Sequence, residues 1–322
     1  MDISIVVPTY NEANNISALY ERINNVLSSE SYTWEIIFVD DGSTDNTYKV
    51  ICDLHQRFSE VQGLRLSRNF GHQLALIAGM QFASGDAVIT IDADLEYPPE
   101  LIPELIAQWR KGYAIVHTIR IDKQNIHSLF KRLTSRLFYK LFKKLSGIEL
   151  MPGMADYRLF DKRAVQVLAS SKEHRPFLRG LSTWMGFTQT SVSFQPGKRA
   201  YGKSRYTLRK MLRLAISGIA GFSDVPLYLS LALGAICMFF SLGFGVYSLI
   251  VYFVLESTIQ GFPSTVLLLT TLMGVQFIIL GILGIYIGEI LHAVRGRPNL
   301  LVEQSTMKRQ VCENCGVFNN IK

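Results

Sequence analysis

Cysteine is scarce in this chain, with four in 322 residues. Cys52 and Cys237 are isolated in the sequence, so we expect no framework of disulfide bonds and a reducing compartment. The pair Cys312 and Cys315 has no second pair and no histidine nearby, which argues against a four-ligand zinc site within one chain. We therefore expect the residues around this pair to form a disordered tail.

Two further absences narrow the class of protein. Met1 and Asp2 lead directly into an apolar run with no basic segment before it, so we expect no signal peptide. No G-x-G-x-x-G motif follows that run, which disfavours a dinucleotide-binding Rossmann domain. A dinucleotide is therefore not the expected ligand.

Charged residues are missing from two long apolar segments, 227–255 and 264–288. Each segment exceeds the roughly 20 residues that a helix needs to cross a bilayer. The loop between them, 256–263, has no lysine or arginine, whereas basic residues precede the first segment and follow the second. By the positive-inside rule, the pattern predicts a membrane protein with two spans, with both termini and the N-terminal region in the cytoplasm.

The basic residues indicate the kind of partner. The chain has 33 Lys and Arg against 26 Asp and Glu, a net charge of +7, and the basic residues gather at 120–144 and 198–213. Because these regions adjoin membrane-like sequence, we expect membrane lipid and phosphorylated ligands as partners rather than nucleic acid. Residues 128–147 have the pattern of a basic amphipathic helix, which fits a membrane interface or an ordinary helix with a solvated basic face.

The first 125 residues alternate between short apolar strands and helices. This alternation predicts an α/β fold with a mainly parallel sheet, in which ligands bind beyond the carboxyl ends of the strands. A cap at Ser43 or Thr44 is predicted for the helix after the second strand. The other predicted elements are strands 3–7, 35–40, 63–67, 86–92 and 113–119, and helices 12–27, 72–83 and 98–111.

Three carboxylates follow the fourth predicted strand, in the stretch DAVITIDADLEYPPE. Asp92, Asp94 and Glu96 occupy alternate positions there. Paired carboxylates of this spacing suit a hard divalent cation that also binds substrate phosphates. Residues so close in sequence could hardly flank a sugar as a glycosidase pair does, so the metal interpretation is preferred.

Several motifs together resemble the inverting family 2 glycosyltransferases, most closely the polyprenyl-phosphate glycosyltransferases. The motifs are VVPTYNE (6–12), VDDGSTD (39–45), RNFG (68–71), IDADLEYPPE (91–100), MPGMADYRLFDKRAV (151–165) and RAYGKSRY (199–206). The resemblance implies a GT-A type nucleotide-sugar-binding fold with amphipathic interface helices and a C-terminal transmembrane hairpin. The implied regions are a donor half at 1–125, an acceptor half at 126–222, the hairpin at 223–292 and a cytoplasmic tail at 293–322.

The resemblance also implies roles for individual residues. Those of the nucleotide site are Pro8, Tyr10, Asn11, Glu12, Asp40, Asp92 and Ala93. Those that would hold Mg²⁺ or Mn²⁺ are Asp92, Asp94 and Glu96, where Glu96 replaces the usual Gln of relatives. The catalytic residues would be Asp94, Asp156 and Arg120, and the phosphate and acceptor residues Arg132, Arg199, Gly202, Ser204 and Arg205.

The role of Asp156 stays open between three interpretations. It could position the sugar and stabilise positive charge at the anomeric carbon, or it could act as a base. It could also be only an ion-pair partner of Arg158 or Arg163. A lipid phosphate is already anionic at neutral pH, since its second pKa is about 6, so little help from a base is required.

The expected reaction is transfer of a hexose-type sugar from a nucleotide donor, with UDP as the expected nucleotide, to polyprenyl phosphate. Relatives also suggest a homotetramer. One alternative is a processive polysaccharide synthase, although the tryptophan in the stretch Arg179 to Trp184 does not match the Q-x-x-R-W signature of such enzymes. The other is a catalytically silent membrane scaffold that binds a nucleotide.

Overall fold

The computed structural model describes residues 1–121, 140, 143–147, 151–171, 173, 176–195, 221, 223–254 and 262–307. The chain divides into two compact units, one comprising Met1–Lys143, Ile148–Lys210 and Arg297–Lys322, the other Lys144–Gly147 and Met211–Gly296. Most of the amphipathic segment 128–147, the loop 199–206 and the Cys312–Cys315 pair lie outside the described residues.

An eight-stranded sheet forms the centre of the first unit. Its strands are β1 (Ile3–Thr9), β2 (Trp34–Asp40), β3 (Val61–Leu66), β4 (Ala87–Thr90), β5 (Ile115–Arg120), β6 (Met154–Asp161), β7 (Gln189–Phe194) and β8 (Val302–Ser305). The strand order is β7-β5-β6-β4-β1-β2-β3-β8. Its helices are α1 (Ala13–Leu27), α2 (Thr47–Arg57), α3 (His72–Phe82), α4 (Ile102–Arg110), α5 (Lys162–Ala169) and α6 (Leu178–Trp184), with a 3₁₀ turn at Pro99–Leu101.

The sheet is mixed but mostly parallel, which confirms the predicted fold class. The parallel pairs are β1 with β2 and β4, β2 with β3, and β5 with β7. Because these strands run the same way, the residues after β1, β2 and β4 emerge at one edge of the sheet. Pro8 lies in a central strand but beyond the last residue that β1 pairs with β4, so its missing N–H costs no ladder bond there.

Strand β6 was not predicted, and it changes what faces the end of β4. It runs antiparallel between β4 and β5, with Ala87 opposite Asp161 and Thr90 opposite Arg158. Beyond this ladder, Asp92 and Asp156 both lie near one side chain, since His72 Nε2 is 3.5 Å from Asp92 Oδ1 and 3.8 Å from Asp156 Oδ2. Two carboxylates far apart in the sequence are therefore neighbours at the sheet edge.

The start of α2 differs from the prediction. The helix begins at Thr47 and neither Ser43 nor Thr44 caps it. Instead, Ser43 and Thr44 bind Asn11, and Asp45 Oδ1 accepts a hydrogen bond from the Thr47 amide at 3.0 Å. The two hydroxyl residues are used to join the loops after β1 and β2.

Part of the predicted tail belongs to the sheet. Residues Val302–Ser305 form β8, antiparallel to β3, and Val302 and Leu300 are buried. The Ser67 amide donates to the Leu301 carbonyl at 3.0 Å, and the Gly63 amide donates to Thr306 Oγ1 at 2.8 Å. Four residues are too few for a clear alternation of apolar and polar positions, which is why the sequence does not reveal this strand.

The second unit contains two long apolar helices, α7 (Val225–Val254) and α8 (Phe262–Val294). Within them, Val225–Tyr247 and Leu268–Val294 are long and apolar enough to cross a membrane, with mean hydropathy values of 2.1 and 2.2. At most 6% of either segment is buried within the protein, unlike the core helices of a soluble domain. This agrees with the two spans predicted at 227–255 and 264–288.

We expect Gly79→Ala to destabilise the first unit by about 1–3 kcal/mol, because overpacking forces strain into a tightly packed core. A Cβ on Gly79 of α3 would lie 2.2 Å from Val6 Cγ1 and 3.0 Å from Val39 Cγ2. Gly234→Ala in α7 is the control, because its Cβ would meet nothing closer than 3.8 Å. Chemical unfolding of the detergent-solubilised variants measures the effect, and equal stabilities would contradict this close packing of α3 on the sheet.

Candidate active site

The loops after β1 and β2 are joined by hydrogen bonds between backbone amides and side-chain oxygens. The Asn11 amide donates to Ser43 Oγ at 2.9 Å, and Asn11 Oδ1 accepts from the Thr44 amide at 2.9 Å. Asn11 has φ 57°, a left-handed conformation that asparagine tolerates better than most residues. The Glu12 amide donates to Thr47 Oγ1 at 3.0 Å. These bonds fix the position of the predicted nucleotide-site residues Asn11 and Glu12.

Asp40, at the end of β2, offers a carboxylate oxygen without a hydrogen-bond partner. Its Oδ1 accepts from the Ser43 amide at 3.0 Å, whereas Oδ2 is buried and has no hydrogen bond to the described part of the chain. Burial raises the pKa of Asp40. The nearest cation to Oδ2 is Arg65 Nε, 3.6 Å away, which also lies 3.5 Å from Glu303 in β8. Such an orphaned acceptor suits a ribose hydroxyl or a base N–H.

The carboxylate of Asp41, unlike that of Asp40, binds backbone amides of the loop after β3. Its carboxylate accepts from the amides of Phe70 and Gly71 at 2.7 and 2.9 Å, so it holds the loop that begins α3. Burial raises the pKa of Asp41. Gly71 has φ 102°, a region that favours glycine, and His72 follows it as the first residue of α3. The loop thereby places His72 at the edge of the sheet.

Asp92 follows β4, and one of its oxygens accepts no hydrogen bond from the part of the chain that the structure describes. Its Oδ1 is buried and lies 3.5 Å from His72 Nε2. Burial raises the pKa of Asp92 to about 6, with His72 opposing the shift and the charges of Asp156 and Asp94 adding to it. Asp94 Oδ1 accepts from the Glu96 amide at 3.1 Å, across Leu95 with φ 62°. A left-handed leucine is uncommon and strained, which is typical of turns at functional sites.

Asp156 is held between two arginines, and we call Asp156, Arg158 and Arg179 the Asp156 ion cluster. Arg179 binds the carboxylate with two hydrogen bonds, Nε to Oδ1 at 3.0 Å and Nη2 to Oδ2 at 2.9 Å. Arg158 Nη2 donates to Oδ1 at 2.9 Å. Burial alone would raise the pKa of Asp156, but Arg179 and Arg158 outweigh it and hold the pKa well below its usual range. The group is therefore a permanent carboxylate and a weak base.

Arg158 is fully buried, and its other donors are also used. Its Nε donates to the Ala155 carbonyl at 2.8 Å and its Nη1 to Ser182 Oγ at 3.0 Å. The interpretation of Asp156 as a partner of Arg158 is therefore correct as far as contacts go. The alternative partner, Arg163, pairs with Asp161 at 2.8 Å.

Glu96 contacts an arginine at the end of β5. Its Oε2 lies 3.1 Å from Arg120 Nη1. From the resemblance, Glu96 is predicted to bind the metal and Arg120 to be catalytic, whereas in the structure the two side chains contact each other. Arg120 therefore lies beside the acidic turn 92–96.

The residues fit a divalent cation only in part. Within the described ranges, no group of three His, Cys, Asp or Glu side chains is arranged to hold a metal ion. Mg²⁺, however, is often held by one or two carboxylates together with substrate phosphates and water. Asp92 and Asp94 supply two carboxylates, and the buried Oδ1 of Asp92 accepts no hydrogen bond from the described residues.

The remaining predicted residues differ in their surroundings. Pro8 and Ala93 are buried, so they act through the backbone and packing, whereas Tyr10 is 37% exposed and available to a ligand. Arg132, Arg199, Gly202, Ser204 and Arg205 lie outside the described residues.

Two residues of the site were missed by sequence reasoning, His72 and Arg179. His72 lies 3.8 Å from Asp156 Oδ2 as well as beside Asp92, and it directly follows the RNFG motif, which was the available signal. Arg179 comes 23 residues after Asp156, and no sequence pattern connects the two.

Comparison with known proteins identifies the family. The profile described as glycosyl transferase family 2 matches residues 4–168. An uncharacterized glycosyltransferase of Synechocystis sp. is 38% identical over 302 residues, covering 94% of this chain and 95% of the relative. The SfII prophage-derived bactoprenol glucosyl transferase of Shigella flexneri is 36% identical over 305 residues, covering 95% of this chain and 98% of the relative.

The chain therefore belongs to glycosyltransferase family 2, which confirms the resemblance seen in its motifs, and it is a transferase with a GT-A type fold. Among solved structures, glucosyl-3-phosphoglycerate synthase from Mycobacterium tuberculosis, crystallised with Mn²⁺, UDP and phosphoglyceric acid, is a distant neighbour. It has 20% identity and a TM-score of 0.47, with 68% of this chain and 76% of that chain covered.

We expect Asp156→Asn to destabilise the protein by about 3–5 kcal/mol, because it leaves the buried Arg158 without its carboxylate. The pKa of Asp156 is lowered on folding, so its contribution is fully present above its unfolded pKa of about 4 and is lost as the pH falls further. The stability difference from wild type should be constant from about pH 8 to 5 and shrink below about pH 4.

Asp86→Asn is the control for that measurement, since Asp86 forms an exposed pair with Lys162. Its expected cost is below about 1 kcal/mol. Chemical unfolding at several pH values measures both variants, and an Asp156→Asn protein as stable as Asp86→Asn would contradict the clamped carboxylate.

We expect Glu96→Gln to keep sugar transfer within about fivefold of wild type, because the amide oxygen can still accept from Arg120 and a partly exposed pair contributes at most about 1 kcal/mol. The concentration of Mg²⁺ or Mn²⁺ required should change instead. Glu96→Ala, which removes the acceptor, is the comparison. Transfer rates titrated with each cation measure this, and lost activity in a folded Glu96→Gln protein would mean that the third charge is essential.

Proposed function

We propose that this protein transfers a sugar from a nucleotide donor to polyprenyl phosphate, giving a polyprenyl-phosphate sugar. The observation that carries the proposal is the combination of a family 2 transferase unit with two helices long and apolar enough to cross a membrane. A relative similar over nearly the whole chain is named a bactoprenol glucosyl transferase. An acceptor with a long apolar tail requires an enzyme at the membrane, whereas a soluble acceptor does not.

The donor would bind at the edge formed by the ends of β1, β2 and β4. Asp40 Oδ2 and the fixed loop at Asn11 and Glu12 are suited to the nucleoside, and Tyr10 can supply an apolar wall. We propose UDP as the nucleotide.

Asp92 and Asp94 would hold a divalent cation, Mg²⁺ or Mn²⁺. When bound, the cation would neutralise negative charge on the diphosphate. Arg120 Nη1 contacts Glu96 Oε2 beside the acidic turn 92–96, and it would also neutralise negative charge on the diphosphate. The raised pKa of Asp92, about 6, fits a carboxylate whose charge is balanced by a ligand that arrives with the substrate.

The chemistry requires little proton transfer. An anionic oxygen of the lipid phosphate attacks the anomeric carbon, and the bond between that carbon and the nucleoside diphosphate breaks, which inverts the configuration. Since the acceptor oxygen is already anionic, no general base is required. The ion pairs of Asp156 favour a positioning role over a base role for that residue.

The membrane arrangement is part of the proposal. The two apolar helices would anchor the protein in the cytoplasmic membrane of a bacterial-type cell, with the transferase unit on the cytoplasmic side, as the basic flanks predict.

Incubating the detergent-solubilised protein with Mg²⁺ or Mn²⁺, undecaprenyl phosphate and a panel of UDP-sugars tests the proposal. We expect one donor to yield a lipid-linked sugar, and Asp94→Asn to reduce the rate by about 100-fold or more, since a lost electrostatic group at the reacting centre has this size of effect. Asp86→Asn, at an exposed pair, should leave the rate unchanged. Absence of product with every donor, or full activity of Asp94→Asn, would refute it and favour a silent scaffold.

A further inference from the structure

The Asp156 ion cluster brings two arginines to one carboxylate. Asp156 contacts Arg158 Nη2 at 2.9 Å and Arg179 Nη2 at 2.9 Å. The charge of Arg179 also acts on Asp92, which is a second carboxylate of the site. What distinguishes the two arginines is their access to solvent and their orientation.

The two arginines differ in access. The side chain of Arg158 is 1% exposed, and three of its nitrogens already donate within the protein. The side chain of Arg179 is 33% exposed. An anion that approaches from solvent can therefore reach Arg179, whereas Arg158 is covered.

Arg179 is also oriented. Its contact with Asp156 joins two nitrogens to two oxygens at 3.0 and 2.9 Å, which fixes the plane of the guanidinium. Asp156 is itself held by Arg158, whose Nη1 donates to Ser182 on the same helix as Arg179. A planar, fixed guanidinium is the group best suited to recognise phosphate oxygens.

The location matches the reacting groups. His72 Nε2 lies 3.5 Å from Asp92 Oδ1 and 3.8 Å from Asp156 Oδ2, and the charge of Arg179 acts on Asp92. Arg179 therefore lies next to the carboxylate proposed to meet the cation and the diphosphate. Arg179 is not among the phosphate-binding residues predicted from the sequence.

We propose that Arg179 is a phosphate-binding residue of the transfer reaction and that Asp156 positions its guanidinium. The proposal rests on the proposed function above. Two phosphates share the required chemistry, the diphosphate of the donor and the phosphate of the lipid acceptor, and the experiment distinguishes them.

Arg179→Gln removes the charge, and Arg163→Gln is the matched control. Arg163 is also an arginine paired with an aspartate, Asp161 at 2.8 Å, but its side chain is 69% exposed. Asp161 pairs with Ala87, at the opposite end of β4 from the acidic turn. Three quantities are measured for each detergent-solubilised protein. These are the Kd of uridine, the Kd of UDP with Mg²⁺, and the KM for undecaprenyl phosphate at saturating donor.

We expect a loss of about 10- to 100-fold in one phosphate-dependent quantity, as for a charged hydrogen bond, with uridine binding unchanged. A weaker Kd for UDP assigns Arg179 to the donor diphosphate. A raised KM for undecaprenyl phosphate with an unchanged Kd for UDP assigns it to the acceptor. If neither the Kd of UDP nor the KM for undecaprenyl phosphate changed, the proposal would be overturned. Equal losses for Arg163→Gln would also overturn it.

Arg179→Lys is the second variant, for use if Arg179→Gln does not fold. Lysine keeps the charge but lacks the two-nitrogen fork, so we expect a smaller loss of about 3- to 10-fold in the same quantity. If a folded Arg179→Lys protein had the same Kd for UDP and the same KM for undecaprenyl phosphate as wild type, the proposal would be overturned. An inactive wild-type protein would instead count against the proposed function, whereas an active wild type with unaffected variants counts against the role of Arg179 alone.

Discussion

The buried guanidinium of Arg158 is the constraint on which the site depends. Removing such a charge from water is costly, and it is tolerated only with a carboxylate partner and hydrogen bonds to its other donors. Asp156 is the carboxylate partner, and the Ala155 carbonyl and Ser182 Oγ accept the other hydrogen bonds. Burial still lowers the pKa of Arg158, to about 10. Because Asp156 is committed to this pair, it stays ionised and β6 is joined firmly to α6.

Strand β6, which lies antiparallel between β4 and β5, adds a carboxylate to a site that already contains one, and neighbouring residues compensate the like charges. It brings the like charges of Asp156 and Asp92 close to the same side chain, His72. The two carboxylates respond in opposite ways, since arginines hold the pKa of Asp156 low while burial raises that of Asp92 to about 6. Of the two carboxylates, Asp92 is the one whose charge is compensated less, with His72 Nε2 3.5 Å from its Oδ1.

The paired aspartates after β2 show how neighbours in sequence acquire different tasks. Asp41 is consumed by the amides of Phe70 and Gly71, and it thereby places His72. Asp40 keeps one oxygen without a hydrogen bond, as a ligand-binding group would. The VDDGSTD motif contains both aspartates and does not distinguish their roles. Their division depends on the loop after β3, which is remote in sequence, so the motif alone could not separate them.

Local patterns in the sequence determined the αβ alternation, the strands from β1 to β5, the two apolar helices and the family. These features depend on apolar periodicity and on short motifs, which are properties of neighbouring residues. The tertiary structure alone decided that β6 lies between β4 and β5, that residues 302–305 complete the sheet, and that Arg179 meets Asp156. Those contacts join residues far apart along the chain, and burial and charge pairing select them only after the chain has folded.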